Sequence, residues 1–308
     1  MTVIVIAGGL SHERDISLRS GRRVALALQE AGRTVHRADV NAELLPLIDE
    51  HPGAVVVPML HGGLGEDGAL RQVLETVGAP FIGPTGAAAR RTFDKAIATP
   101  LVAAAGIATP KQVALPQDVF KELGARRIMD ALMDHVGLPM VVKPAGSGSA
   151  MGVSMVTSAD ALPAALVEAY AYGQVAVVEE HVAGTEVAVT VLDEGDGPVA
   201  LPAVEIRAQG MYDYEARYTA GTTRFVTPAE LDDDVTARLA DMAVTAHVAL
   251  GLRHLSRMDV VVREDGTPVF IEGNVSPGMT DTSLAPLAFE AAGRSVGDVF
   301  NTLVDLVG

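Results

Sequence analysis

Arg257-Met258-Asp259-Val260-Val261-Val262-Arg263-Glu264-Asp265-Gly266-Thr267-Pro268-Val269-Phe270-Ile271-Glu272-Gly273-Asn274 reads as a β-hairpin. Two Val-rich runs flank Asp265-Gly266, the signature of a two-residue turn, and such a turn fixes the register of both strands. Pairing Glu264 with Thr267 places Asp259 opposite Glu272 and Arg257 opposite Asn274, all on one face because side chains alternate along a strand. Directly opposed like charges are destabilising, and a divalent cation with hard oxygen ligands relieves the repulsion. Asp259, Glu272 and Asn274 therefore form a candidate magnesium site. The hairpin alone is equally compatible with a solvent-exposed pair or with one split by a bulge.

Further strands at 175–179, 186–192 and 199–205 and a long helix near 231–250 make the surroundings of this hairpin an α+β unit, largely antiparallel. Upstream, 140–143 and 153–156 read as strands flanking the small-residue loop 145–152, and 160–170 as a helix. The first ninety residues differ. Short Val/Ile runs (3–6, 34–38, 54–58) alternate with helical stretches (17–30, 41–49, 68–77), the pattern of βαβ units on a parallel sheet. Gly8-Gly9 and His61-Gly62-Gly63-Leu64-Gly65 follow strands, where such sheets place ligands. A helix over about 85–105 leads into Gly106-Ile107-Ala108-Thr109-Pro110, a plausible boundary. The predicted organisation is an amino-terminal α/β domain (1–93), a central α+β lobe (94–178) and a carboxy-terminal α+β lobe (179–308).

A hydrophobic share of 49% in 308 residues is that of an ordered globular chain. The formal charge of −16 opposes binding to a polyanion, which makes nucleic acid and anionic membranes poor partners. With no Cys, disulfides, thiolate metal sites and a Cys nucleophile are excluded together, and a cytoplasmic setting fits. The start, Met1 to Gly9, reads as a buried first strand rather than a signal peptide, and no apolar run approaches the roughly 18 residues of a membrane span. A soluble protein is expected.

Lys143-Pro144 precedes Ala145-Gly146-Ser147-Gly148-Ser149-Ala150-Met151-Gly152, whose small residues let backbone N–H groups approach phosphate oxygens. It is not a Walker loop, in which the Lys follows the glycines and opens a helix. Taken alone, it reads equally as a hairpin tip with no ligand. Nor do Gly8-Gly9 complete a dinucleotide fingerprint.

Seven segments in order, spanning essentially the whole chain, resemble the D-alanine:D-alanine ligases of the ATP-grasp superfamily. They are Gly8-Gly9-Leu10-Ser11-His12-Glu13-Arg14, His61 to Gly68, Asp94-Lys95, Lys143-Pro144 with its loop, Tyr212 to Tyr218, Arg257-Met258-Asp259, and Glu272 to Thr280. The resemblance implies an ATP-grasp fold and ATP-dependent ligation of two D-alanines through an acyl phosphate, for peptidoglycan precursors. It also implies ATP and Mg2+ (two ions, with Mn2+ as a substitute), small-molecule amino acid substrates and a homodimer. Two other functions stay open: a ligase of the same fold acting on another amino acid pair or in specialised metabolism, and a nucleotide-binding regulator that has lost catalysis.

By that resemblance Lys95, Lys143 and Arg217 reach the ATP phosphates, the backbone from Glu179 through Glu180 to Val182 meets the adenine, and Glu186 the ribose. Asp259, Glu272 and Asn274 fall on the metal ligands, the same three that the hairpin count selects. Glu13 receives the first substrate's ammonium, tied to Ser149 and Tyr218, and His61 lines the substrate pocket. Arg257 and the Gly278 N–H stabilise the oxyanion, and Ser283 and Leu284 seat the second substrate's carboxylate. The segment 212–221, with three tyrosines and few aliphatic residues, reads as a mobile cover. Departures are Arg217 in place of a usual Lys, Ala150 for a common Ser, Ser147 near a position often acidic, and Gly273 and Val275 in the last motif. His12, His36, His135 and His254 match no role and read as structural or surface histidines.

Overall fold

The structure, a computed structural model, describes residues 1–208 and 223–308. Arg217, Tyr218 and the expected cover 212–221 lie outside the described residues. The Val/Ile runs of the first unit form β1 (Thr2–Ile6), β2 (Thr34–Ala38) and β3 (Val55–Pro58), a parallel sheet of order β2-β1-β3. Val3 to Ile6 are almost wholly buried because helices cover both faces, which is why the run is uninterrupted rather than alternating. Helices α1 (Arg14–Glu30), α2 (Leu44–Glu50) and α3 (Ala69–Thr76) complete the expected βαβ pattern.

The expected helix over 85–105 is two helices, α4 (Gly86–Phe93) and α5 (Lys95–Ala104). Asp94 separates them in extended backbone (φ −84°, ψ 103°), and its carboxylate accepts the Ala96 N–H at 2.9 Å as an N-cap. Lys95, the first residue after the break, is buried.

Four antiparallel strands follow, β4 (Gln112–Pro116), β5 (Met140–Pro144), β6 (Ser154–Val156) and β7 (Val175–Glu180), in the order β4-β7-β5-β6. Helices α6 (Gln117–Leu123), α7 (Ala125–Val136) and α8 (Leu162–Tyr170) pack with them, and β7 runs across position 178/179. The last sheet contains β8 (Thr185–Asp193), β9 (Pro198–Ala200), β10 (Val204–Ala208), β11 (Thr223–Val226), β12 (Leu255–Val262) and β13 (Pro268–Asn274). Its order is β11-β10-β8-β12-β13, with β9 also on β8. The single strand expected over 199–205 is β9 and β10, interrupted at Pro202, which has no N–H for the ladder.

Helix α9 (Asp233–Ala249) packs on this sheet together with α4 and α5, whose Ala88, Ala89, Ala98 and Val102 join its core. Helices α10 (Leu284–Ala291) and α11 (Val296–Val307) close the chain, and Val299, Phe300, Leu303 and Val304 pack against Val3 and Val5 of β1. The first sheet and the last helix thus share one core.

The hairpin corrects one expectation and keeps another. Its turn is a three-residue loop, with Gly266 at φ +77° and its N–H donated to Arg263 O at 2.9 Å. Val262 pairs with Pro268, Val261 with Val269 and Val260 with Phe270, one residue out of the register a two-residue turn dictates. A bulge then inserts Ile271, after which Asp259 pairs with Glu272 and Arg257 with Asn274, as expected. The extra loop residue and the extra strand residue offset each other.

Candidate active site

The bulge has a consequence for the site. Strict alternation would put Phe270 on the same face as Glu272; instead Phe270 lies in the core, and the adjacent pair Ile271 and Glu272 both line a cleft of about 420 Å³. This cleft runs between β5 and β7 on one side and β8, β12 and β13 on the other, and its size suits a nucleotide. Lys143, Glu179, Glu180, Val182, Glu186 and Asp259 line it. Lys143 Nζ lies 2.5 Å from Glu179 Oε1. Glu179 Oε2 is buried with no hydrogen-bond partner among the described residues. Glu180 pairs with Arg263 at 3.0 Å.

A smaller, more polar cavity of about 90 Å³ adjoins it, lined among others by Glu13, His61, Ser149, Arg257, Asn274 and Gly278, with Ser283 and Leu284 at one end. Lys95, Ser147 and Glu272 line both spaces. Lys95 Nζ donates to Ser147 O at 2.9 Å and lies 3.2 Å from Glu272 Oε2, so one ammonium ties the small-residue loop to the hairpin at the junction.

The loop 145–153 carries Ser149 and Ala150 at φ +48° and +56°, a left-handed pair that costs backbone energy in non-glycine residues. This turn brings the Ser149 hydroxyl to donate to Glu13 Oε1. An added Cβ at Gly62 or at Gly148 would stand 2.5 Å from Glu13 Oε2, so the carboxylate is held between two backbones that only glycine lets approach.

Asp259 accepts a bidentate pair from Arg257, Nε at 2.6 Å and Nη2 at 2.8 Å. Each facing carboxylate therefore has a cation, Arg257 on Asp259 and Lys95 on Glu272. Asn274 Oδ1 accepts the Ser276 N–H at 2.8 Å. Asp259 stands opposite Glu272 on the paired strands and Asn274 lies two residues beyond Glu272, a set of two carboxylates and an amide whose oxygens have the chemistry that suits a hard divalent ion. Among the described residues no three or more His, Asp or Glu side chains are grouped so as to hold a metal ion.

At the far end, Ser283 precedes α10 but does not cap it; its Oγ accepts the Thr280 N–H at 3.0 Å. The first-turn N–H groups of α10 thus have no side-chain cap, and a helix start of this kind favours a carboxylate. A Cβ at Gly278 would lie 2.8 Å from Ser283 Oγ, so a side chain there would require the Ser283 hydroxyl to shift.

His61 is buried, with Nδ1 2.9 Å from Ser276 O and Nε2 3.1 Å from Ser20 Oγ. Burial and the nearby Arg257 charge push its pKa down to about 4, so the ring is neutral near pH 7. Among the histidines given no role, His254 accepts the Gly83 N–H at 2.9 Å, His36 stacks on His51, and His12 and His135 are exposed.

Sequence reasoning missed Ser20, Glu66 and Arg71. Glu66 lines the smaller cavity and is pushed up to about 8 by burial and then by the charge of Glu13. Arg71 is fully buried and donates to Gly65 O, below Glu66. Both fall in or next to the His61 to Gly68 motif, where an acidic residue amid glycines was the available signal. Ser20 had another, the Ser20-Gly21 pair inside a helix, two poor helix formers in a buried row.

The family model described as "D-ala D-ala ligase C-terminus" matches residues 101–305. The chain is 37% identical over 307 residues to the D-alanine–D-alanine ligase of Moorella thermoacetica, covering 99% of each protein. It is 40% identical to that of an Anaeromyxobacter species, covering 98% of this chain and 96% of the relative. Among solved structures, the VanG D-Ala:D-Ser ligase from Enterococcus faecalis is similar with TM-score 0.85 and 27% identity, covering 100% of this chain and 99% of that one. The D-alanine–D-alanine ligase from Bacillus anthracis complexed with ATP is similar with TM-score 0.81 and 25% identity, covering 100% and 96%.

Proposed function

The chain belongs to the D-alanine–D-alanine ligase family, and from that premise we propose that it joins two D-alanines to D-alanyl-D-alanine at the expense of ATP, for peptidoglycan precursors. The observation that carries this reading is the junction at Lys95, Ser147 and Glu272, where a nucleotide-sized cleft opens onto a small polar cavity. A carboxylate is a poor electrophile and needs activation. In the first step an oxygen of the first D-alanine's carboxylate attacks the γ-phosphorus, the bond to ADP breaks, and an acyl phosphate forms. Lys95, Lys143 and Arg217 are proposed to offset charge on the phosphates, and Glu186 to hold the ribose. Glu179 Oε2, an acceptor without a partner among the described residues, suits an amino group of the base, with the backbone through Glu180 and Val182 alongside.

Glu13 is proposed to hold the first substrate's ammonium, which keeps that amine protonated and out of the reaction, with Ser149 and Tyr218 fixing the carboxylate. In the second step the second D-alanine's amine, having lost a proton, attacks the acyl carbon. Arg257 and the Gly278 N–H stabilise the oxyanion until phosphate leaves. Ser283 and Leu284 at the start of α10 seat the second carboxylate. Asp259, Glu272 and Asn274 are the residues that would hold Mg2+, as two ions or with Mn2+ in its place, and the ion supplies neutralisation of polyphosphate charge. Exclusion of water from the cavity during turnover would protect the acyl phosphate from hydrolysis. A homodimer and a cytoplasmic location complete the proposal; no helix among the described residues is long and apolar enough to cross a membrane.

The test is phosphate release with ATP, Mg2+ and a panel of D-alanine, D-serine, D-lactate and L-amino acids. D-Alanine alone is expected to sustain the fastest release with one dipeptide per phosphate. Faster release with D-alanine plus D-serine would assign another amino acid pair, and none with any substrate would leave a nucleotide-binding protein without ligase activity.

A further inference from the structure

The loop 276–280, which carries Gly278, is held from outside its own unit. Ser20 on α1 is fully buried, and the Met279 N–H reaches its Oγ at 3.0 Å. An amide N–H only donates, so Ser20 Oγ accepts there; a carbonyl only accepts, so the Ser276 O contact at 2.9 Å puts the neutral ring's proton on Nδ1 and leaves His61 Nε2 to accept the Ser20 proton at 3.1 Å. The opposite tautomer would set the Nδ1 lone pair against that carbonyl. Arg23, one turn beyond Ser20, adds donations from Nη1 to Met279 O at 3.3 Å and Thr280 O at 2.9 Å. The loop is thus gripped on both sides of Gly278 by residues of the first unit.

Local sequence agrees that this position of α1 is specialised. Gly21 follows Ser20, and a Cβ there would overlap the Ala7 side chain just beyond β1. Ser17, one turn earlier, makes a parallel bridge, accepting the Gly8 N–H at 2.8 Å and donating to Met59 O at 2.7 Å. The helix is pulled close to the sheet, and that approach brings Ser20 within reach of Met279.

We infer that Ser20 and His61 are positioning residues which set the direction of the Gly278 N–H, His61 acting through Ser276 O and Ser20 through Met279. The inference rests on the reading of that N–H as an oxyanion donor. His61, with both ring nitrogens engaged in the protein, works through the loop rather than on substrate. Oxyanion donors act only when aimed at the developing charge, and a displacement of about 1 Å costs up to about 100-fold in rate.

The experiment measures dipeptide and phosphate together in Ser20→Ala, His61→Leu and His61→Gln. Ser20→Ala and His61→Leu are expected to lower kcat for dipeptide roughly 10- to 100-fold. Phosphate released per dipeptide should rise above that of the wild type, while the KM for ATP changes less than about twofold, because the nucleotide cleft is untouched. A Gln amide offers one acceptor and one donor, as the neutral ring does, and His61→Gln is expected to recover most of what His61→Leu loses. Should Ser20→Ala fail to fold, nitrogen-15 NMR of histidine-labelled wild-type enzyme carries the test, with the His61 proton expected on Nδ1. Wild-type kcat and stoichiometry in Ser20→Ala, no recovery in His61→Gln, or a proton on Nε2 would each overturn the inference. Failure of the oxyanion reading itself registers elsewhere, as unchanged ligation in Arg257→Ala, however Ser20 behaves.

Discussion

Lys143 Nζ and Glu179 Oε1 lie 2.5 Å apart with both side chains only 5% exposed, so this ion pair stands almost wholly out of water. Removing one member of such a pair leaves an uncompensated buried charge, at a cost of about 3–5 kcal/mol. Lys143→Met is expected to lower the unfolding free energy by about 3 kcal/mol in urea titration, and Lys143→Met with Glu179→Leu to regain most of it. A single variant within about 0.5 kcal/mol of the wild type would mean that water reaches the pair.

Glu66 makes stability depend on pH. Burial first, and the charge of Glu13 second, raise its carboxyl from 4.5 to about 8, against smaller lowering effects of Arg71 and Lys95. The folded chain keeps a proton that the unfolded chain releases, so this contribution is complete below about pH 4.5 and is lost as pH rises through about 8. Between pH 5 and 8 the wild type should lose roughly 1–3 kcal/mol more than Glu66→Gln, which has no such proton to lose. Parallel stability profiles for the two proteins would exclude a buried, protonated Glu66.

Gly148→Ala isolates the seat of Glu13. The new Cβ would stand 2.5 Å from Glu13 Oε2, and the carboxylate must move or turn. The KM of the first D-alanine should rise about tenfold, equivalent to roughly 1.4 kcal/mol, with the KM for ATP changed less than about threefold. An equal rise in both would place the effect on the phosphate loop instead.

Much of this site was legible because its residues sit on a regular frame. The Val-rich runs and Asp265-Gly266 announce the hairpin, and Asp259 pairs with Glu272 and Arg257 with Asn274 as that reading requires. The agreement is partly fortunate. Pattern reading leaves a bulge open but cannot place it at Ile271, where Phe270 packs into the core and Ile271 lines the cleft. The break at Asp94 was readable as an N-cap, yet the Ala-rich stretches on both sides read as one helix. The sequence reading placed no helix or strand over 284–308, because α11 buries its apolar face against β1, a partner almost 300 residues away that local periodicity does not reveal.

Asp259→Asn and Glu272→Gln each remove one hard anionic ligand while keeping shape. Both are expected to lower turnover at least about 100-fold with little change in thermal midpoint, and chelation of divalent ions should abolish turnover of the wild type. Near-wild-type turnover in both variants would remove these residues from metal binding. The two should differ in one respect: Asp259→Asn also weakens the fork of Arg257, whereas Glu272→Gln releases Lys95, which still holds Ser147 O.

Arg257 has two possible roles, orienting Asp259 and stabilising the oxyanion, and they slow different steps. An arginine that only holds a metal ligand would affect phosphoryl transfer, so phosphate and dipeptide would fall together. An arginine that stabilises the tetrahedral oxyanion affects the attack on an acyl phosphate already made, and the stalled intermediate goes to water. Arg257→Ala is therefore expected to cut dipeptide formation by about 100- to 1,000-fold while phosphate release falls much less. Arg257→Lys keeps the charge but not the planar fork that grips both Asp259 oxygens, and should lie between. A ratio of phosphate to dipeptide that stays at the wild-type value in Arg257→Ala would leave Arg257 as a partner of Asp259 alone.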